Sequence, residues 1–176
     1  MNNNPRNKDS DRKGSMKDSY GNKFTSPEMY LEYNADENEF YQGLIEFYGV
    51  DIIGPSYEGR VYVNNPNADE NTPTDEKNGY VGSYYVFGND GCWGDKGHCE
   101  VKVQREYDSR IHSHITPQYM FVDATKVLKK CAKSKSKFTV SVVPRIYSDQ
   151  RMSDAKDVVK FQRIRVTCYE NPAVLK

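Results

Sequence analysis

Two thiols and three imidazoles sit close together in this sequence. Cys92 and Cys99 bracket the loop Cys-Trp-Gly-Asp-Lys-Gly-His-Cys, and His98, His112 and His114 complete the set. These are soft ligands suited to zinc or copper. On a strand, His112 and His114 share one face, because side chains alternate with period two. The spacing matches no zinc-finger pattern. A second reading uses the same residues structurally. Gly91, Gly94 and Gly97 permit a tight, twisted loop. A Cys92–Cys99 disulfide would close a ring of eight residues, worth about 2.5 kcal/mol on loop-entropy arithmetic. The histidines would then hydrogen-bond backbone at one end of the fold. A Cys99–His112 nucleophilic pair exists on paper; a buried or oxidised cysteine is its structural counterpart. The other two cysteines, Cys131 and Cys168, fall on core-facing positions and are expected to be buried thiols or a bridge.

Other chemistries are missing from the sequence. It has no glycine-rich phosphate loop and no Gly-x-Ser-x-Gly elbow. Carboxylates are plentiful, yet none form a recognisable acid–base pair. Residues 126–137 carry six lysines and no acid. They lack the interleaved aromatics and arginines that stack on bases or fork onto phosphates. With 25 basic and 25 acidic residues the net charge is zero, so no nucleic-acid partner is expected. Neutrality hides an asymmetry. Residues 24–59 hold eight acids and no base, while residues 126–165 hold twelve bases and three acids. The expectation is that the acidic segment lies against the 126–137 side of the fold. No apolar run approaches the roughly 20 residues of a membrane span. The polar N-terminus is no signal peptide, which implies the cytoplasm if the chain is complete.

The elements that must position these residues follow from periodicity. Residues 1–22 read as a disordered tail. Residues 23–53 read as a helical segment. Ser26 and Pro27 stand at N-cap and first-turn positions, and Phe40, Leu44, Phe47 and Tyr48 recur at helical spacing. From residue 54 the pattern changes to period two, with strands at 60–64, 80–87, 100–105, 119–123, 138–144 and 160–169. A loop spans 65–78, a short helix spans 124–132, and a tail covers 171–176. The predicted fold is mainly β: an antiparallel β-sandwich of jelly-roll or immunoglobulin-like type over residues 54–170. One or two N-terminal helices precede it, and a short helix lies between its late strands.

Five segments in order carry a resemblance. They are Gly59-Arg60-Val61-Tyr62-Val63-Asn64, then Tyr80-Val81-Gly82-Ser83-Tyr84-Tyr85-Val86-Phe87-Gly88, then the Cys92–Cys99 loop ending Gly-His-Cys. His112-Ser113-His114-Ile115-Thr116-Pro117 follows, with Val122-Asp123-Ala124-Thr125 after it. Thr139-Val140-Ser141-Val142-Val143-Pro144-Arg145 completes the set. The series resembles the C-terminal β-domain of tyrosinase-type dicopper phenol oxidases, the polyphenol oxidases. In that family a separate helical domain binds two coppers through six histidines, and the β-domain shields the copper site or assists its assembly. The resemblance implies a non-catalytic accessory or lid domain, partnered by a dicopper catalytic domain in the same polypeptide or in trans. Three histidines in the whole chain cannot supply six ligands, so no enzyme activity and no resident cofactor are expected. Copper would belong to the partner. A lid presents an aromatic to the substrate channel, and Tyr84, Tyr85, Phe87 and Trp93 are the candidates. His98, Cys99, His112 and His114 could instead hold copper during delivery. Two alternatives stand beside the lid: a free-standing copper- or zinc-binding β-module using Cys92, His98, Cys99, His112 and His114, and a structural interaction domain.

Overall fold

The computed structural model describes residues 23–31, 40–89, 95–97, 99–100, 106–107, 109, 115–134, 136–146 and 158–170. These build two antiparallel sheets facing one another. The strands are β1 (Phe24–Thr25), β2 (Phe40–Val50), β3 (Tyr57–Val63), β4 (Tyr80–Val86), β5 (Gln118–Asp123), β6 (Val140–Ile146) and β7 (Arg163–Glu170), with α1 (Thr125–Ser134) between β5 and β6. One sheet runs β1-β6-β3-β4 and the other β5-β2-β7. The architecture is the β-sandwich that the period-two pattern predicts, with α1 where the 124–132 pattern places a helix.

Inward residues alternate as the pleat demands. Val61 and Val63 of β3, Tyr84 and Val86 of β4, and Val140 and Val142 of β6 face Ile45 and Phe47 of β2 and Ile164 of β7. α1 presses Leu128 and Cys131 into this core. It docks over Gly43, where a Cβ would sit 2.8 Å from Leu128 Cδ1. The Gly43 N–H donates to Thr125 Oγ1 at 2.9 Å, and the Ala124 N–H donates to the Gly43 carbonyl at 2.9 Å.

The expected N-terminal helix is a strand. Residues 40–50 form β2, the central member of the three-stranded sheet, paired with both β5 and β7. Ile45 and Phe47 face the other sheet, while Leu44 and Glu46 lie on the outward face among side chains of the flanking strands, so Leu44, Ile45, Glu46 and Phe47 are buried in succession. A strand buried on both faces loses its alternation, and the apolar residues that remain can mimic a helical stripe. Ser26 is no helix cap either. Its N–H donates to the Val140 carbonyl at 2.8 Å, and its hydroxyl accepts from the Val140 N–H at 2.9 Å. Residues 24–29 therefore run along the edge of β6, extended by a bridge from Met29 to Phe138. The expected helical 23–53 segment thus contributes strands to both sheets of the sandwich. The predicted strand at 100–105 lies outside the described residues, apart from Glu100, as do the tails 1–22 and 171–176.

The 65–78 segment is a folded cover. It buries Ala68 against Tyr62 and Val143 on the outer face of the four-stranded sheet, and Tyr62 Oη donates to the Thr72 carbonyl at 3.0 Å. Short side-chain bonds shape it: Asp75 accepts from the Asn78 N–H at 2.9 Å, and Gly79 takes φ 79°. Any Cβ on Gly79 would meet the Val63 carbonyl oxygen at 2.2 Å.

Candidate functional site

The four candidate lid aromatics separate by the pleat of β4. Tyr84 points inward and is 3 % exposed. Its ring lies 4.9 Å from Phe47 and 6.1 Å from Tyr57, and it occupies the space a Cβ on Gly59 would need. Burial pushes the Tyr57 hydroxyl up to about 12 and Tyr84 well above its ordinary value. Tyr84 is therefore a core residue and leaves the candidate set. Tyr85 and Phe87 point outward; Phe87 is 83 % exposed. Trp93 lies outside the described residues.

Phe87 is held firmly despite its exposure. Val86 before it is buried in the core. After it, the Gly88 N–H donates to Ser56 Oγ at 3.0 Å, and the Asn89 N–H donates to the Ile52 carbonyl at 3.0 Å. Asn89 Nδ2 donates to the same carbonyl at 3.3 Å. The backbones approach so closely that a Cβ on Gly88 would sit 2.0 Å from the Gly54 carbonyl oxygen. Only glycine fits there. The result is a phenyl ring carried into solvent from a clamped strand end. It brings no acid, base or nucleophile; its chemistry is shape and apolar surface.

Of the five candidate metal ligands, only Cys99 belongs to the described residues; Cys92, His98, His112 and His114 lie outside them. No group of three or more potential ligands occurs among the described residues. Cys131 and Cys168 are free thiols, not bridged to each other. Burial raises both, Cys168 to about 11, so neither is a thiolate near neutral pH.

The lysine-rich helix is partly neutralised from an unexpected direction. Lys126 and Lys130 reach Glu76 of the 65–78 cover, at 2.6 and 2.5 Å. From the acidic N-terminal segment, Glu28 meets Lys137 at 3.1 Å. Among the described residues the acidic segment, expected as helices against this side, reaches it through Glu28, while Lys126 and Lys130 are held by the cover. Hydrogen bonds from Lys126 and then Lys130 hold the Glu76 carboxyl down at about 2, against an ordinary 4.5. A lowered folded value means the stabilisation is complete above the ordinary value and is lost as pH falls from about 4.5 towards 2. A carboxyl NMR titration is expected to place Glu76 near 2 and to move it towards 4.5 in the Lys126→Gln/Lys130→Gln variant. A native midpoint above 4 would exclude the clamp.

Sequence reasoning overlooked a second surface. The outward face of β5-β2-β7 carries Tyr41, Tyr48, Tyr119, Phe121 and Tyr169 around the buried carboxylate of Glu46. The Tyr119-Met120-Phe121 alternation signals two outward rings on one strand. Nothing local signals Glu46, whose hydroxyl donors, Tyr119 and Thr167, are 73 and 121 residues away.

No family model matches the chain, and no curated protein matches it. Among solved structures it is similar to a recombinantly expressed latent aurone synthase (polyphenol oxidase), at 13 % identity and TM-score 0.49, over 85 % of this chain and 25 % of that one. A latent aurone synthase (polyphenol oxidase) from natural source gives 13 % identity and TM-score 0.46, over 85 % of this chain and 24 % of the other. The chain spans about a quarter of the length of these structures. No helix among the described residues is long and apolar enough to cross a membrane.

Proposed function

We propose that this chain is a non-catalytic accessory domain that covers the copper site of a tyrosinase-like phenol oxidase domain, in the same polypeptide or in trans. The observation that carries the reading is Phe87: 83 % exposed, yet carried on a strand end whose backbone is fixed by the Gly88 and Asn89 bonds. An apolar ring left in water contributes little to the fold. A ring on a backbone already fixed before binding loses less freedom on entering a pocket shaped for a phenol than one on a mobile loop. Tyr85 lies on the same face of β4, two residues away, and widens the contact. The ordered motif series from Gly59 to Arg145 supports the same assignment.

Copper in this reading belongs to the partner. The chain's three histidines cannot build a six-histidine centre, so no oxidation step is assigned to it. Cys99 is proposed to pair with Cys92, since the two other cysteines are free thiols. That bond would tether the loop that follows Phe87.

The test mixes this chain with a separately produced dicopper phenol oxidase catalytic domain and follows diphenol oxidation. The native chain is expected to suppress the rate at saturating concentration. Phe87→Ala is expected to relieve most of that suppression while leaving stability within about 0.5 kcal/mol, as for an exposed site. The reading fails if the native chain leaves the oxidation rate unchanged, or if Phe87→Ala suppresses as well as the native chain.

A further inference from the structure

The β5-β2-β7 face lies on the sheet opposite to the one bearing Phe87, and it has the make-up of a binding platform. Tyr119 and Phe121 are neighbours on β5, 46 % and 54 % exposed, with ring centroids 5.9 Å apart and planes within 30°. Tyr48 flanks them at 5.0 Å from Tyr119, and Tyr41 and Tyr169 form a second pair at 6.4 Å. We propose that this face binds a neutral polysaccharide, with sugar rings lying on Tyr119 and Phe121.

Three observations point there. First, the rings are oriented in advance. Tyr119 Oη donates to Glu46 Oε1 at 2.6 Å, and the Thr167 hydroxyl donates to Glu46 Oε2. Glu46 is 4 % exposed. Removing a carboxylate from water is costly, and here its bond fixes a ring that stays half in solvent. Arg163 in turn lies 4.5 Å above the Tyr48 ring. Such ordering benefits whatever lands on the rings, because less freedom is lost on binding.

Second, the face is electrically balanced. Its described charged residues are Glu46 and Asp123 against Arg163 and Arg165. A polyanion finds no excess of cations here of the kind phosphate binding relies on; the lysine cluster belongs to α1 and the turn after it. Third, a sugar ring is itself two-sided. Its C–H face suits the negative face of an aromatic ring, and its hydroxyl rim suits a border of carboxylate, guanidinium and phenol groups.

The test is native electrophoresis of the full chain through gels containing hydroxyethyl cellulose, xylan, laminarin or galactomannan, followed by calorimetry with an oligosaccharide of whichever polymer retards it. Retardation by at least one polymer is expected. Tyr119→Ala and Phe121→Ala should each weaken binding at least tenfold, with Phe87→Ala binding as the native chain. Phe121 is exposed, so its variant should fold normally. Absence of retardation in all four gels overturns the proposal, as does undiminished retardation of Phe121→Ala. If Phe121→Ala instead abolishes suppression of a phenol oxidase domain and no gel retards the native chain, the face is a protein interface and the proposal fails.

Discussion

Phe47→Ala is expected to remove about 3–5 kcal/mol of stability, the range for large aromatic truncations in a core. Phe47 is fully buried on the central strand of the three-stranded sheet. Its ring meets Tyr84 of the opposite sheet at 4.9 Å and Phe161 at 5.3 Å, so it is a main bridge between the two layers. The vacated space cannot close easily, because β2 is pinned on both sides by ladders to β5 and β7. Domains of this size are stable by only about 5–15 kcal/mol, so the variant sits near the folding threshold. Urea unfolding followed by circular dichroism reads the loss. With a slope of about 2 kcal/mol/M, the midpoint is expected to fall by about 2 M. Phe47→Leu, which keeps most of the volume, should lose distinctly less. A fall below about 0.5 M for the alanine variant would show that the two sheets are held together elsewhere.

What was legible in the sequence follows from how each segment is buried. β4 shows its structure openly, because Tyr84 and Val86 face the core while Tyr85 and Phe87 face water. α1 is equally plain, with Leu128 and Cys131 on the face that docks and lysines on the rest. β2 is illegible for the opposite reason: flanked by two strands whose side chains shield its outward Leu44 and Glu46, it keeps no alternation over residues 43–47. The 65–78 cover reads as a loop because its order comes from Asp and Asn side chains bonding their own turns, which carries no periodicity. The site divides along the same line. Phe87 could be named from its strand-end position, and Tyr84 only by the parity of the pleat. Glu46, lone in an apolar run, acquires its meaning through partners on β5 and β7.

The second large effect is expected at Arg60. Its Nε donates to Glu58 Oε2 at 3.0 Å, and both residues are under a tenth exposed. Ser83 Oγ donates to the other Glu58 oxygen at 2.7 Å, and the Ser83 and Tyr80 hydroxyls are hydrogen-bonded at 2.9 Å. This polar row crosses β3 and β4 on the outer face of the four-stranded sheet. Arg60→Ala withdraws the guanidinium and leaves the carboxylate buried, which is expected to cost about 3–5 kcal/mol. Glu58→Gln keeps the shape and removes the charge, and should cost less alone. The instructive variant replaces both partners, Glu58→Leu with Arg60→Met. Because the pair's own desolvation offsets most of its attraction, that double change is expected to be near neutral or stabilising. Unfolding midpoints for Glu58→Leu alone, Arg60→Met alone and the two together close a thermodynamic cycle. If the double variant is itself destabilised by several kcal/mol, the pair contributes net stability over apolar side chains, and the row is a foundation of the sheet rather than a device for fixing the pairing of β3 with β4.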